Sequence, residues 1–176
     1  MIFNTPDAVG KLEKVKILLL DVDGVMTDGN IIYTDGGAEI KTFCVKDGLG
    51  IRLLMNSGIK IGIVTGRTSE ALRHRCKNLH IEYIFDGVLN KAVILDKIVE
   101  ITGIQTPEIA FMGDDLPDIP IMRGAGIPIA VADAHEKVIE SACIVTSAKG
   151  GNGAIREVCE AILKARGEWE SVLKRF

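Results

Sequence analysis

Residues Leu18–Gly29 read LLLDVDGVMTDG. Three leucines of core type end in two carboxylates spaced one residue apart, Asp21 and Asp23, and the chain then turns on Gly24. A carboxylate next to a hydrophobic core is costly unless something binds it. The stretch therefore reads as the end of a buried strand that delivers two acidic groups to a ligand.

Working outward, short apolar runs alternate with helical patterns along the chain. Residues 15–20 (VKILLL) form a buried strand by their leucine and β-branched content. Residues 30–34 and 39–44 flank Asp35-Gly36-Gly37 and predict a hairpin over about 30–44. Asp47 is placed to cap a helix running to Asn56, which Ser57-Gly58 stops. Further strands are expected at 59–64, 81–85, 108–112, 127–131 and 143–145, with helices at 69–78, 91–102, 116–123 and 154–164. This alternation predicts an α/β, Rossmann-like doubly wound fold: a mainly parallel sheet, helices on both faces, and the hairpin inserted after the first strand. With no linker or repeat, one domain over 1–176 is expected.

Composition narrows the function. The chain is 47% hydrophobic but only 5% aromatic, a core built from Ile, Leu and Val. Its net charge is −3, and no basic stripe or set of stacking aromatics suggests a nucleic-acid partner. No apolar run approaches the ~20 residues that span a bilayer. The first residues, MIFNTPDAVGKLEKVK, lack the apolar segment of a signal peptide, so a cytoplasmic protein is expected. Cys44, Cys76, Cys143 and Cys159 form no CxxC pair and read as small buried apolar residues. His74, His80 and His135 have no metal-ligand spacing and read as surface or cap residues.

Four polar groups fall at the carboxyl ends of four expected strands, where ligands bind in such sheets. They are Asp21 with Asp23, Thr65 in TGR, Lys91, and Asp114-Asp115 followed by Asp118. Taken singly, each reads as a cap, a turn or a solvated side chain. Together, oxygen-only carboxylates favour Mg²⁺, while a Lys and a Thr hydroxyl suit the oxygens of a phosphoryl group. One Asp would attack phosphorus and a second would protonate the leaving oxygen.

DVDGV, TGR, Lys91 and GDDLPD together resemble the four signature motifs of the haloacid dehalogenase-like phosphohydrolases. The resemblance implies that Asp21 is the nucleophile and Asp23 the acid/base, with Thr65 and Lys91 positioning phosphate. It also implies that Asp21, Asp114 and the backbone carbonyl of Asp23 hold Mg²⁺, with Asp115 and Asp118 supporting them. Response-regulator receivers use a similar set, but their acidic pair precedes the phosphorylated Asp; here DxD comes first.

The intervals between these motifs leave no room for a cap domain. The segments FCVKDGLGIRLL, TGRTSEALRHRC and VADAHEKVIESACIVTSAKGGNGAIREVCEAIL resemble the capless 3-deoxy-D-manno-octulosonate 8-phosphate phosphatases nearly end to end. That resemblance implies a cytoplasmic homotetramer in lipopolysaccharide sugar synthesis, whose neighbouring subunits cover each other's sites. It also implies substrate contacts from Asp23, Cys44, Val45, Lys46, Asp47, Gly48, Arg52, Arg67, Arg75 and Lys91. Lys46 departs from the Arg that relatives can carry, keeping charge but losing the planar fork. The arginines suit a substrate carboxylate; without the resemblance, three solvated helix-face arginines are the favoured account. A phosphatase for nine-carbon nonulosonic acid 9-phosphates is the nearest alternative, and a non-catalytic phosphosugar-binding or partner subunit another. The stretch Gly150–Gly153 reads first as a turn into the last helix, and the tail 167–176 is amphipathic, docked or disordered.

Overall fold

The computed structural model describes residues Met1–Phe176. In chain order the elements are β1 (Ile2–Phe3), α1 (Ala8–Glu13), β2 (Ile17–Leu20), β3 (Ile32–Tyr33), β4 (Glu39–Ile40) and α2 (Val45–Asn56). Then come β5 (Lys60–Val64), α3 (Glu70–Leu79), β6 (Tyr83–Phe85), α4 (Val93–Thr102), β7 (Ile109–Gly113) and α5 (Ile119–Gly124). The chain ends with β8 (Ile127–Ala130), α6 (Glu136–Ser141), β9 (Ile144–Val145), α7 (Ala154–Ala165) and α8 (Trp169–Leu173). No helix is long and apolar enough to cross a membrane.

β2 has no polar residue and is buried on both faces, as a central parallel strand must be. Its alternation splits the core: Leu18 and Leu20 face one hydrophobic cluster, Ile17 and Leu19 the other. The first cluster also takes residues of α1, α2, α3 and α7, and the second those of α4, α5 and α6. Helices therefore cover both faces of a seven-stranded sheet of order β1-β9-β8-β7-β2-β5-β6. All its pairs are parallel except the β1–β9 edge. The doubly wound, mainly parallel architecture is the one the alternating pattern predicts.

α2 and α7 pack closely because α2 carries Gly50: a Cβ there would meet the Arg156 Cα at 3.0 Å. Glycine inside a helix costs about 1 kcal/mol relative to Ala, and the close approach explains its presence.

Several expectations need correction. The hairpin is shorter than the expected 30–44, with two-residue strands, because a ribbon outside the main sheet has no surface to pack on. Residues 116–123 are not one helix: a 3-10 turn at Leu116–Asp118 precedes α5, since Pro117 and Pro120 cannot donate to a helical ladder. β1, α1 and α6 are absent from the sequence reading because each is short and weakly periodic. Asp47 does not cap α2, whose cap position is Cys44. Instead its carboxylate accepts from the Gly153 N–H (3.2 Å) and the Arg156 N–H (2.8 Å), capping α7. Cys44 is only half-buried, unlike the other three cysteines. His80 and His135 are helix caps, of α3 and α6, and Val172 docks α8 onto the main core.

Candidate active site

β2 lies between β7 and β5, so the residues that follow these three strands must converge. The Asp21 N–H donates to the Met112 carbonyl at 3.0 Å, extending the β2–β7 ladder to the turn that carries the DxD pair. Thr65 follows β5, Asp114 follows β7, and Lys91 precedes α4 at the end of the loop leaving β6. Asp21, Asp23, Thr65, Arg67, Lys91, Asp114, Asp115 and Asp118 all line one cavity of about 390 Å³. The structure thus joins every candidate catalytic residue and every candidate metal ligand.

At its floor the buried Lys91 ammonium donates to Asp21 Oδ1 and to Asp118 Oδ1, each at 2.5 Å. The other Asp118 oxygen accepts from the Asp114 N–H at 2.9 Å, which fixes the turn after β7. Burial, then the Asp118 charge, push the Asp21 pKa up to about 6 against the opposing pull of Lys91. Burial and the charges of Asp21, Asp118 and Asp115 push Asp114 up to about 8. One ammonium therefore faces more carboxylate charge than it can offset.

Oxygens of Asp21, Asp114 and Asp118 lie within 4.8 Å of one another. An all-oxygen donor set with excess negative charge fits a hard divalent cation such as Mg²⁺. Gly24 (φ +99°) lets the DxD turn pass this close, since a Cβ there would sit 2.0 Å from Asp114 Oδ2. Of the two residues expected to support the metal, Asp118 is buried in this cluster, whereas Asp115 is exposed and caps the 3-10 turn through the Leu116 N–H at 2.8 Å.

The Asp23 side chain points elsewhere. Its Oδ1 accepts from Lys41 Nζ and its Oδ2 lies 3.6 Å from Arg67 Nε. Glu39 joins the same two cations, at 2.7 Å from Lys41 Nζ and 2.8 Å from Arg67 Nη2. Burial would lower the Lys41 pKa, but hydrogen bonds and charge from Asp23 and Glu39 reverse this and leave it raised. Sequence reasoning missed Glu39 and Lys41. The available signal was their i, i+2 spacing, which puts both on one side of an extended strand with Ile40 on the other.

Of the candidate substrate contacts, Asp23, Arg67 and Lys91 line the cavity, and Cys44, Val45, Lys46, Asp47, Gly48, Arg52 and Arg75 do not. Arg75 donates to the Cys44 carbonyl at 3.3 Å and stacks over Phe43, while Arg52 reaches the Leu79 carbonyl at 3.5 Å. The Gly150–Gly153 stretch is a turn whose N–H groups are already engaged. Gly150 donates to Asp133 (3.0 Å), Gly151 to the Val25 carbonyl (2.9 Å) and Gly153 to Asp47 (3.2 Å), bracing the DxD turn from below.

The family model of the haloacid dehalogenase-like hydrolases matches residues 81–158. The 3-deoxy-D-manno-octulosonate 8-phosphate phosphatase KdsC of Escherichia coli (strain K12) is 42% identical over 162 residues, 92% of this chain and 86% of that protein. The crystal structure of the Moraxella catarrhalis 3-deoxy-D-manno-octulosonate 8-phosphate phosphatase, in complex with magnesium ion, phosphate ion and KDO, superposes with a TM-score of 0.94. It is 40% identical, covering 97% of this chain and 98% of that one. The cobalt-bound deoxy-D-mannose-octulosonate 8-phosphate phosphatase of Haemophilus influenzae gives a TM-score of 0.87 at 40% identity, over 90% and 93% of the two chains. With its motifs gathered in one cavity and likeness running along nearly its whole length, the chain belongs to the haloacid dehalogenase-like hydrolases, in the family of the 3-deoxy-D-manno-octulosonate 8-phosphate phosphatases.

Proposed function

We propose that this protein is a Mg²⁺-dependent phosphomonoesterase that converts 3-deoxy-D-manno-octulosonate 8-phosphate to the free sugar acid and phosphate. The observation that carries this reading is the meeting of Asp21, Thr65, Lys91 and Asp114 in one cavity beyond the carboxyl ends of four adjacent strands, β2, β5, β6 and β7. Asp21, Asp114 and the backbone carbonyl of Asp23 would hold the cation, with Asp115 and Asp118 in support. When bound, the cation offsets charge on the phosphoryl oxygens.

The protein's own residues account for the rest. Asp21, paired with the Lys91 ammonium at 2.5 Å, presents its carboxylate to attack phosphorus. Thr65 and Lys91 orient the phosphoryl oxygens. As the ester P–O bond breaks, Asp23 gives its proton to the sugar alkoxide; it then takes a proton from the water that hydrolyses the aspartyl-phosphate. Arg67 lines the same cavity and suits the substrate carboxylate.

The cavity is open, and efficient transfer needs water excluded. A homotetramer would supply the cover. Ile31, Ile32, Tyr33 and Ile40 expose apolar surface on the hairpin, which supports that assembly. Cys44, Val45, Lys46, Asp47, Gly48, Arg52 and Arg75 would then contact substrate only in a neighbouring chain's cavity. Four unpaired cysteines support a cytoplasmic location.

The test is phosphate release with Mg²⁺ from the eight-carbon and nine-carbon keto-deoxy sugar-acid phosphates. A tenfold or larger kcat/KM preference for the eight-carbon ester, about 1.4 kcal/mol, is expected. A nine-carbon preference would keep the mechanism and overturn the substrate.

A further inference from the structure

Asp23 serves two proton transfers in the proposed reaction, and its carboxylate must be aimed for both. Asp23, Lys41, Glu39 and Arg67 form a closed ring of alternating charge in which each group contacts two of opposite sign. Lys41 is the tight member: its side chain is 2% exposed, although it stands on the segment that leaves an otherwise exposed hairpin. The Arg67 contact to Asp23 is longer, at 3.6 Å, and Arg67 is itself drawn to Glu39 at 2.8 Å.

We propose that Lys41 is a positioning residue for Asp23, held in turn by Glu39, so that the base of the hairpin sets the aim of the acid/base in its own chain. This rests on the phosphatase reading. The χ2 torsion of an aspartate is broad, and proton transfer requires the carboxyl to lie within hydrogen-bond reach of the moving proton. With Lys41 gone, only the long Arg67 contact would restrain Asp23. Both proton transfers would then be served by a mobile carboxyl, while Asp21, Thr65 and Lys91 stay in place to bind phosphate and attack it.

The two ester classes separate these consequences. p-Nitrophenolate leaves without a proton, so forming the aspartyl-phosphate from p-nitrophenyl phosphate does not need Asp23, whereas its hydrolysis does. For Lys41→Met with Mg²⁺, kcat on the sugar-acid phosphate should fall about tenfold or more while KM stays within about threefold. With p-nitrophenyl phosphate the variant should release a burst of one p-nitrophenolate per active site and then turn over slowly. Lys41→Arg should restore most of kcat. In an Asp23→Asn background, Lys41→Met should cost little more, because the group it aims is already disabled.

Wild-type kcat in Lys41→Met, or a loss without a burst that persists undiminished in the Asp23→Asn background, would overturn the proposal. Should Lys41→Met fail to fold, Lys41→Gln carries the same expectations. Wild-type protein that cleaves p-nitrophenyl phosphate but not the sugar-acid ester would remove the substrate reading and leave the burst test standing. Wild type that cleaves neither would overturn both.

Discussion

Asp21 and Asp114 show at the scale of single residues why the site calls for a cation. Both are pushed up, to about 6 and about 8, from an ordinary value of 3.8. Between those values the folded protein keeps protons that the unfolded chain has already lost. The metal-free fold should therefore lose stability as pH rises from about 4 to about 8. Calorimetry without metal should give a higher Tm at pH 5 than at pH 8, and Mg²⁺ should raise Tm more at pH 8. A Tm that climbs steadily over that range would refute the crowding. Asp21→Asn removes the proposed nucleophile and one of the crowded charges together. Its turnover should vanish while its metal-free Tm equals or exceeds that of the wild type; phosphate release at the wild-type rate would contradict the assignment. EDTA should abolish activity and Mg²⁺ restore it, and activity untouched by chelation would remove the metal. Residues of this kind were legible in the sequence because each ends a strand. Glu39 and Lys41 were not, because their role comes from a hairpin folding back onto the DxD turn, a contact 18 residues apart for Lys41 and Asp23 that no local pattern encodes.

At the scale of elements, β2, β5 and β7 were readable from apolar runs that end in polar motifs. What was not readable is which helix a carboxylate caps. Asp47 sits in the first turn of α2, where composition alone makes it look like that helix's own cap, yet tertiary packing turns it onto α7. Its buried carboxylate answers two N–H groups more than 100 residues away in sequence. Asp47→Ala should cost about 2 kcal/mol in urea unfolding, and Asp47→Asn, which keeps one acceptor, clearly less. Equal stability of Asp47→Ala and wild type would show that the tie contributes nothing. Segments made of two-residue strands or six-residue helices, such as β1 and α6, escaped detection because their hydrophobic period never repeats.

Across the whole molecule, a seven-stranded sheet with a core on each face supplies the base, and the two-stranded hairpin lies outside that sheet with Ile31, Ile32, Tyr33 and Ile40 exposed. If the hairpin holds the proposed homotetramer, Tyr33→Glu should shift the protein to smaller species in sedimentation velocity and lower activity with it. An unchanged sedimentation profile would mean that the hairpin does not hold the assembly. Subunit arrangement is a property of surfaces meeting, and one chain's periodicity carries little of it. The claim on which the rest depends is covalent catalysis at Asp21. Its most direct test is rapid acid quench of the Mg²⁺-loaded protein with labelled 3-deoxy-D-manno-octulosonate 8-phosphate, followed by mapping of the labelled peptide. Label on the peptide that contains Asp21, absent from Asp21→Asn, is the expected result. Turnover without protein-bound label at any quench time, or label that survives in Asp21→Asn, would contradict it.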